Sequence, residues 1–409
     1  MNLDTFRELL GKQGQLALRE AAALAPTEAG YLAAFTKLEK HFPGELARAA
    51  LETVLLRARA RTRHSRAWEF YFTRESLEQS SSEVVARYRA QRFARFGTVL
   101  DLCCGVGMDA IALAEAGCTA HTVELDPLKA AMAEANAASA GVADRVHVHV
   151  GDVLSIALPT ADAAFADPSR RSGERRHLDP EQYEPRLSSL LARFPSDFPV
   201  GVKIAPAVAR RDFESLNAEA EFITSAGELK ECVLWFGGLK TTSRRATVLA
   251  GWVAPASSRC GNFWTLASRP TLRDCGTGED AGATLEGTGE FLFDPDSSVI
   301  RADLLDLLAE RLDAAQLEHG IALLSGPNLL QTPFATPFRI ECVLPFKVEV
   351  LRDHLRSLGV GRVTILKRAL DADVNTVQKK LKLTGVGHRH VILTRVGGKA
   401  AAIIATIAE

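Results

Sequence analysis

The sequence predicts an α/β chain, with a doubly wound parallel sheet preceded by a helical region and followed by a smaller α+β part. Three observations predict it. Between residues 81 and 256, short apolar runs alternate with helical segments, the pattern of strands joined by crossover helices. The first of these runs leads straight into glycines and then a helix, in "VLDLCCGVGMDAIALA". On either side the periodicity changes, to packed helices before it and to mixed strands and helices after it.

Composition bounds the reading. A chain of 409 residues is long enough for two or three domains. Its 47% hydrophobic and 24% charged residues are those of a globular protein, and no apolar run is long enough for a membrane span. A net charge of -1 provides no global pull toward nucleic acid or anionic lipid, so any such binding must come from local patches. The opening "MNLDTFRELLGKQGQ" has early acids and no apolar core, so no signal peptide is expected. The seven cysteines are scattered, with no CxxC pair and no Cys/His metal spacing. They read as reduced thiols of a cytoplasmic protein without a metal. Cys103 and Cys104 are neighbours, a poor geometry for a disulfide, and read as small packing residues.

The elements follow in order. Residues 1–80 read as helices, from apolar spacing in "FRELL", "AGYLAAFTKLEKHF" and "ELARAALETVLL". Seven strands are expected at Thr98–Leu102, Thr119–Leu125, Val146–Val150, Ala163–Ala166, Val200–Ile204, Glu231–Phe236 and Thr247–Val253. Residues 257–335 begin with a Gly/Ser/Thr-rich connection and continue into "FLFDPDSSVIRADLLDLL". Residues 336–409 form the last domain.

The glycine loop holds the first candidate residues. Gly105 and Gly107 let a ligand approach the backbone, and the helix behind them offers free N–H groups. The second strand ends in "VELDP", placing Glu124 seventeen residues after Gly107, where an acid can accept hydrogen bonds from ribose hydroxyls. The third ends in "VGDV", where Asp152 can accept from an adenine amine. After the fourth comes "DPSRR", with Asp167 at the carboxyl end of the sheet, where doubly wound folds bind ligands. A nicotinamide dehydrogenase also uses a glycine loop and a following acid, but its GxGxxG fingerprint is absent from "GVGMDA".

This series resembles the class I S-adenosylmethionine-dependent methyltransferases, with "DLCCGVG", "VELDP", "GDV" and "DPSRR" in the places of their first four motifs. "KECVLWFGG" and "RATVLAGWV" resemble the reversed hairpin that closes their seven-stranded sheet. "LEQSSSEVVARYRA" ahead of the first strand is similar to the trimethylguanosine-synthase branch and its bacterial relatives. The resemblance implies S-adenosylmethionine as cofactor. Its methionine end would lie against Asp101, Cys103, Gly105, Gly107 and Asp109, its ribose on Glu124 beside Leu125, and its adenine near Asp152 and Val153. It also implies that Gln79, Ser80 and Ser81 reach the methionine end; capping of the following helix is the other reading of these serines.

One departure matters. The fourth motif has no aromatic residue to stack on a base, which leaves a cap guanine or a flipped adenine without support. Instead Asp167 would orient an accepting N–H, Pro168 would stiffen the turn, and Arg170 and Arg171 would grip an anion bidentately. An ordinary turn with solvated arginines is the alternative.

The last third resembles the THUMP-like domain that follows such methyltransferases in bacteria, with a ferredoxin-like piece ahead of it; true THUMP domains bind structured RNA. From Pro345 to Glu409 there are twelve Lys/Arg against five Asp/Glu. Lys367, Arg368, Lys379, Lys380 and Lys382 form the densest cluster and are the candidate RNA contacts. A second cluster, Arg57, Arg59, Arg61, Arg63 and Arg66, reads equally well as a phosphate-binding run or a solvated face. The expected activity is methylation of structured RNA, ribosomal or transfer. An anionic small molecule or protein as substrate, and a non-catalytic RNA-binding module that keeps the cofactor fold, are the alternatives.

Overall fold

The computed structural model describes residues 1–172, 175–250, 262–268 and 289–408, with 171 and 172 described by backbone alone. Four helices open the chain, α1 (Leu3–Leu10), α2 (Lys12–Ala23), α3 (Tyr31–Leu38) and α4 (Gly44–Ala60). Their apolar stripes bury Phe6, Leu9, Leu18, Leu38 and Leu46 against one another. Asn2 caps α1 by accepting the Thr5 N–H at 2.8 Å. Two further helices, α5 (Arg74–Gln79) and α6 (Glu83–Phe93), lead into the sheet.

The arginine run at the end of α4 is largely occupied inside the fold. Arg57 donates to the Phe70 carbonyl at 2.9 Å, Arg63 to those of Leu77 and Ser80, and Arg66 to those of Ala140 and Ser139. Arg59 pairs with Glu28, and Arg61 lies over the Trp68 ring. These bonds fasten the segment around Phe70–Ser80, so the phosphate-binding reading of this run gives way to a structural one.

The sheet is built from β1 (Thr98–Leu102), β2 (Thr119–Glu124), β3 (Val146–Val150) and β4 (Ala163–Ala166), with α7 (Met108–Glu115) after β1 and α8 (Pro127–Ala140) after β2. A hairpin, β5 (Arg171–Ser172) with β6 (Arg175–Arg176), and α9 (Leu187–Leu191) precede β7 (Val200–Ile204). Then come β8 (Glu219–Ser225), β9 (Glu228–Phe236), β10 (Arg244–Leu249) and β11 (Phe263–Ala267). The order is β11-β10-β8-β9-β7-β4-β1-β2-β3. β1 pairs in parallel with both β2 and β4, so the strand order reverses at β1, the point at whose carboxyl end doubly wound folds bind ligands.

Five of the seven expected strands lie where predicted or end one residue short; the closing pair differs. β9 runs antiparallel to β7, as the reversed strand should, but its hairpin partner is β8 rather than the later run, which forms β10 and lies outside β8. The pattern of β8, "EAEFITS", conceals it. Glu219 and Glu221 read as solvent-facing, yet both are buried: Arg92 pairs with each, and the Trp235 indole donates to Glu221 at 2.8 Å.

The second sheet contains β12 (Phe291–Pro295), β13 (Ala315–Gln316), β14 (Leu324–Gly326), β15 (Ala335–Pro345), β16 (Val360–Lys367), β17 (Gly387–Val396) and β18 (Lys399–Ile407). Its order is β13-β14-β12-β15-β18-β17-β16. Helices α10 (Ser297–Arg301) and α11 (Leu305–Leu312) follow β12, α12 (Val348–Ser357) follows β15 and α13 (Val374–Leu381) follows β16. Leu351, Leu355, Val377 and Leu381 bury one face of α12 and α13 against Val391, Leu393, Ala402 and Ile404.

The described residues fall into two compact units, one within 1–221, 230–241 and 249–263, the other within 222–229, 242–248 and 264–409. The N-terminal helices share the first unit with most of the large sheet. Most of the expected Gly/Ser/Thr-rich connection, with Cys260 and Cys275, lies outside the described residues. Among them, no helix is long and apolar enough to cross a membrane.

Candidate active site

β1 is held in the sheet by the buried Val99, Leu100 and Leu102, and the chain then turns sharply. Cys103, Gly105 and Gly107 all take positive φ, at 62, 57 and 81°. The two glycines have different tasks. A Cβ on Gly107 would lie 3.0 Å from that of Ala133 in α8, so this glycine serves close packing. A Cβ on Gly105 would meet nothing within 4 Å; the space above it is open to a ligand. Burial first, then neighbouring acids, raises the pKa of both Cys103 and Cys104, so both are neutral thiols, and Cys104 Sγ accepts from the Thr122 hydroxyl.

Carboxylates surround the loop. Glu124 accepts the Gly105 N–H at 2.7 Å on one oxygen and the Asp126 N–H at 3.0 Å on the other, tying the end of β2 to the loop while each oxygen keeps a free lone pair. Leu125 beside it is 70% exposed, an apolar surface left uncovered. After β3, Asp152 is exposed and accepts from Leu154 N, with Val153 buried next to it. Asp101 is 1% exposed and its Oδ2 has no partner among the described residues. Burial, then the charges of Asp109 and Asp167, pushes its carboxyl well above the ordinary range.

A buried ion cluster lies alongside. Arg89 of α6, 2% exposed, donates to Asp109, Glu231 and the Ser81 hydroxyl, and stacks on the Phe165 ring. Burial alone would lower its pKa; Asp109 and Glu231 more than offset that and raise it. Lys203, in β7, donates to Asp167 Oδ2 at 2.5 Å and to Ser81 Oγ at 3.4 Å. Ser81 thus accepts from two cations, and its own hydrogen remains for a third partner. Of the serine segment only Ser81 joins the cluster. Gln79 is half-buried and bonded to Glu75, Ser80 donates to the Leu77 carbonyl, and Ser82 at the start of α6 makes no side-chain cap. Asp101, Cys103, Gly105, Gly107, Asp109, Glu124, Asp167 and Ser81 therefore come together; Gln79 and Ser80 do not.

"DPSRR" carries the chain from β4 into the β5–β6 hairpin. Asp167 leaves β4 with its N–H on the Leu102 carbonyl, and Pro168 is buried. Ser169 exchanges backbone hydrogen bonds with Glu184 at 3.0 and 2.9 Å. The chain then enters the β5–β6 hairpin, in which Arg171 pairs with Arg176. Arg170 is half-buried, Arg175 and Arg176 are exposed, and the Arg171 side chain lies outside the described residues. The sequence reading missed Arg89, Lys203, Glu231, Arg175 and Arg176. One signal was readable: a lysine inside the apolar run "VGVKI" has to find a partner when that strand is central.

In the second unit, Lys379 and Lys380 are exposed in the last turn of α13, and Lys382 follows with φ 44°. The Lys382 carbonyl accepts from Arg356 of α12 at 2.8 Å, which adds a cation to the patch. Lys367 is exposed at the end of β16. Arg368 leaves the candidate set because its guanidinium is forked onto Asp294, at 2.7 and 3.0 Å.

Residues 96–182 match the family described as RNA cap guanine-N2 methyltransferase, residues 335–407 the THUMP domain-like family, and residues 2–60 a domain family of unknown function. Proteins from two strains of Mycobacterium tuberculosis, CDC 1551 and H37Rv, are each described as an uncharacterized S-adenosylmethionine-dependent methyltransferase. Each is 32% identical over 369 residues, 87% of this chain and 94% of theirs. A crystal structure from Porphyromonas gingivalis W83, assigned as a methyltransferase, covers 98% of this chain and 99% of its own at 20% identity and a TM-score of 0.73, a likeness of fold.

Proposed function

Because this chain belongs to the S-adenosylmethionine-dependent methyltransferases, we propose that it methylates structured RNA in the cytoplasm, with the accepting group held at Asp167. The observation that carries this reading is the position of Asp167. It ends β4 beside the loop of β1, and a hairpin bearing Arg170, Arg171, Arg175 and Arg176 follows it directly. One carboxylate can accept a proton, and neighbouring guanidiniums can grip phosphates. The THUMP-like match and the exposed lysines of α13 support RNA over smaller anions.

The residues around Gly105 fit the cofactor. The open space above Gly105, the unpaired oxygen of Asp101 and the spare lone pairs of Glu124 suit a cationic nucleoside. S-adenosylmethionine, when bound, supplies a methyl group already activated on a positively charged sulfur. The protein aligns the acceptor and takes up the proton it loses, at Asp167.

Two results are expected for the cofactor site. Glu124→Ala weakens S-adenosylmethionine binding by roughly 1–3 kcal/mol in calorimetry, since it leaves ribose hydroxyls and the Gly105 N–H without their acceptor. Asp101 sets a pH dependence. Burial and the neighbouring acids raise the pKa of its carboxyl, and a cationic ligand favours the ionised form, so binding lowers that pKa again. Affinity therefore rises with pH below the raised pKa and is level above it; Asp101→Asn removes the slope.

The RNA face has its own test. Lys379→Glu with Lys380→Glu weakens RNA binding and flattens its salt dependence, while cofactor affinity stays the same. An unchanged salt slope excludes these lysines as phosphate contacts. The proposed activity itself is tested by mass spectrometry of nucleosides from cells with and without the protein, where one methylated nucleoside should disappear with it.

A further inference from the structure

We propose that Lys203 is a positioning residue for methyl transfer, holding Asp167 turned so that one carboxylate oxygen is left for the accepting group. This rests on the reading of Asp167 as the acceptor-side acid. Lys203 is the fourth residue of β7, whose other members, Val200, Gly201, Val202 and Ile204, are buried, and its side chain is 9% exposed. β7 neighbours β4 in parallel, with Ala166 opposite Val202, so the next residues of the two strands, Asp167 and Lys203, meet at the carboxyl edge of the sheet. Burying an ammonium there is costly without a partner. Its bonds are to Asp167 Oδ2 at 2.5 Å and Ser81 Oγ at 3.4 Å. Asp167 Oδ1 has no partner among the described residues, and the Asp167 side chain stays 26% exposed, open to an incoming group.

The surroundings show why a cation is needed. Asp101 and Asp109 also lie close, and Asp167 and Asp109 both push the Asp101 carboxyl upward. Without Lys203, Asp167 would be one of several acids crowded at one edge, with no cation to pair its charge or to fix which of its oxygens faces the acceptor. Ser81 links this pair to the other cation, because Arg89 and Lys203 donate to the same hydroxyl oxygen. Arg89 in turn holds Asp109 at the first turn of α7, behind the glycine loop. The cofactor side and the acceptor side are thus joined through one serine.

The test compares Lys203→Met, Lys203→Arg and the double variant Lys203→Met with Asp167→Asn. Thermal midpoints read the charge pair without any substrate. Lys203→Met should be less stable than wild type, and the added Asp167→Asn should recover much of that loss. On the RNA pool that wild type methylates, Lys203→Met should lower kcat by about tenfold to a hundredfold, with KM near wild type. Lys203→Arg should restore most of the rate, and affinity for S-adenosylhomocysteine should change little in any variant. A Lys203→Met enzyme with wild-type kcat overturns the proposal, as does a Lys203→Met midpoint that equals wild type or that Asp167→Asn does not recover. If wild type labels no RNA, the RNA reading fails, and the midpoints alone decide the Lys203 assignment.

Discussion

Arg89→Met will cost the protein about 3–5 kcal/mol of stability, the largest loss expected from any single substitution in the site. The side chain is 2% exposed and donates to Asp109, Glu231 and Ser81 together. Methionine fills much of the same volume, so loss of packing against Phe165 is modest. The damage comes from leaving two carboxylates, 13% and 4% exposed, without their counterion. The loss should therefore shrink when the acids are neutralised as well. Arg89→Met with Asp109→Asn and Glu231→Gln should regain a large part of the lost thermal midpoint. A single variant as stable as wild type would show that the cluster is solvated and not a buried network.

Asp167→Asn has the largest expected effect on rate. The amide keeps the shape of the carboxylate but cannot take up a proton, and general acid–base groups contribute roughly a hundredfold to ten-thousandfold. The loss should fall on kcat, with KM and cofactor affinity near wild type, because substrate grip belongs to the arginines that follow. Arg170→Lys and Arg176→Lys should show the converse, a raised KM with kcat retained, since an ammonium cannot reproduce the guanidinium fork. Steady-state kinetics on RNA separates the two patterns. Unchanged kcat in Asp167→Asn would place the proton elsewhere.

Much of this was legible in the sequence because the order of motifs around a doubly wound sheet is a local signal. β1, β3, β4 and β7 are short apolar runs bounded by turns, and each ends at a residue that the site uses or adjoins. The residues between the loops were not legible. Arg89 lies in "EVVARYRAQRF", where a buried arginine looks no different from Arg87 and Arg92, and its carboxylate partners Asp109 and Glu231 lie 20 and 142 positions on. Glu219 and Glu221 hid β8 in the same way, since their partner Arg92 lies more than 120 residues earlier. The "RARARTRHSR" run was open between an external phosphate and a solvated face, but main-chain carbonyls around Phe70, Leu77 and Ser139 are the acceptors for three of its arginines. Charge in a sequence marks a need for partners; whether they are internal is a tertiary fact.

The most direct test of the account is transfer of labelled methyl groups from S-adenosylmethionine to deproteinised RNA from cells lacking this protein, using wild type and Asp167→Asn matched for S-adenosylhomocysteine affinity. The account predicts ribonuclease-sensitive label with wild type and at most a trace with the variant. Label that appears only in protein or small-molecule fractions, or that is equal for both enzymes, would contradict it.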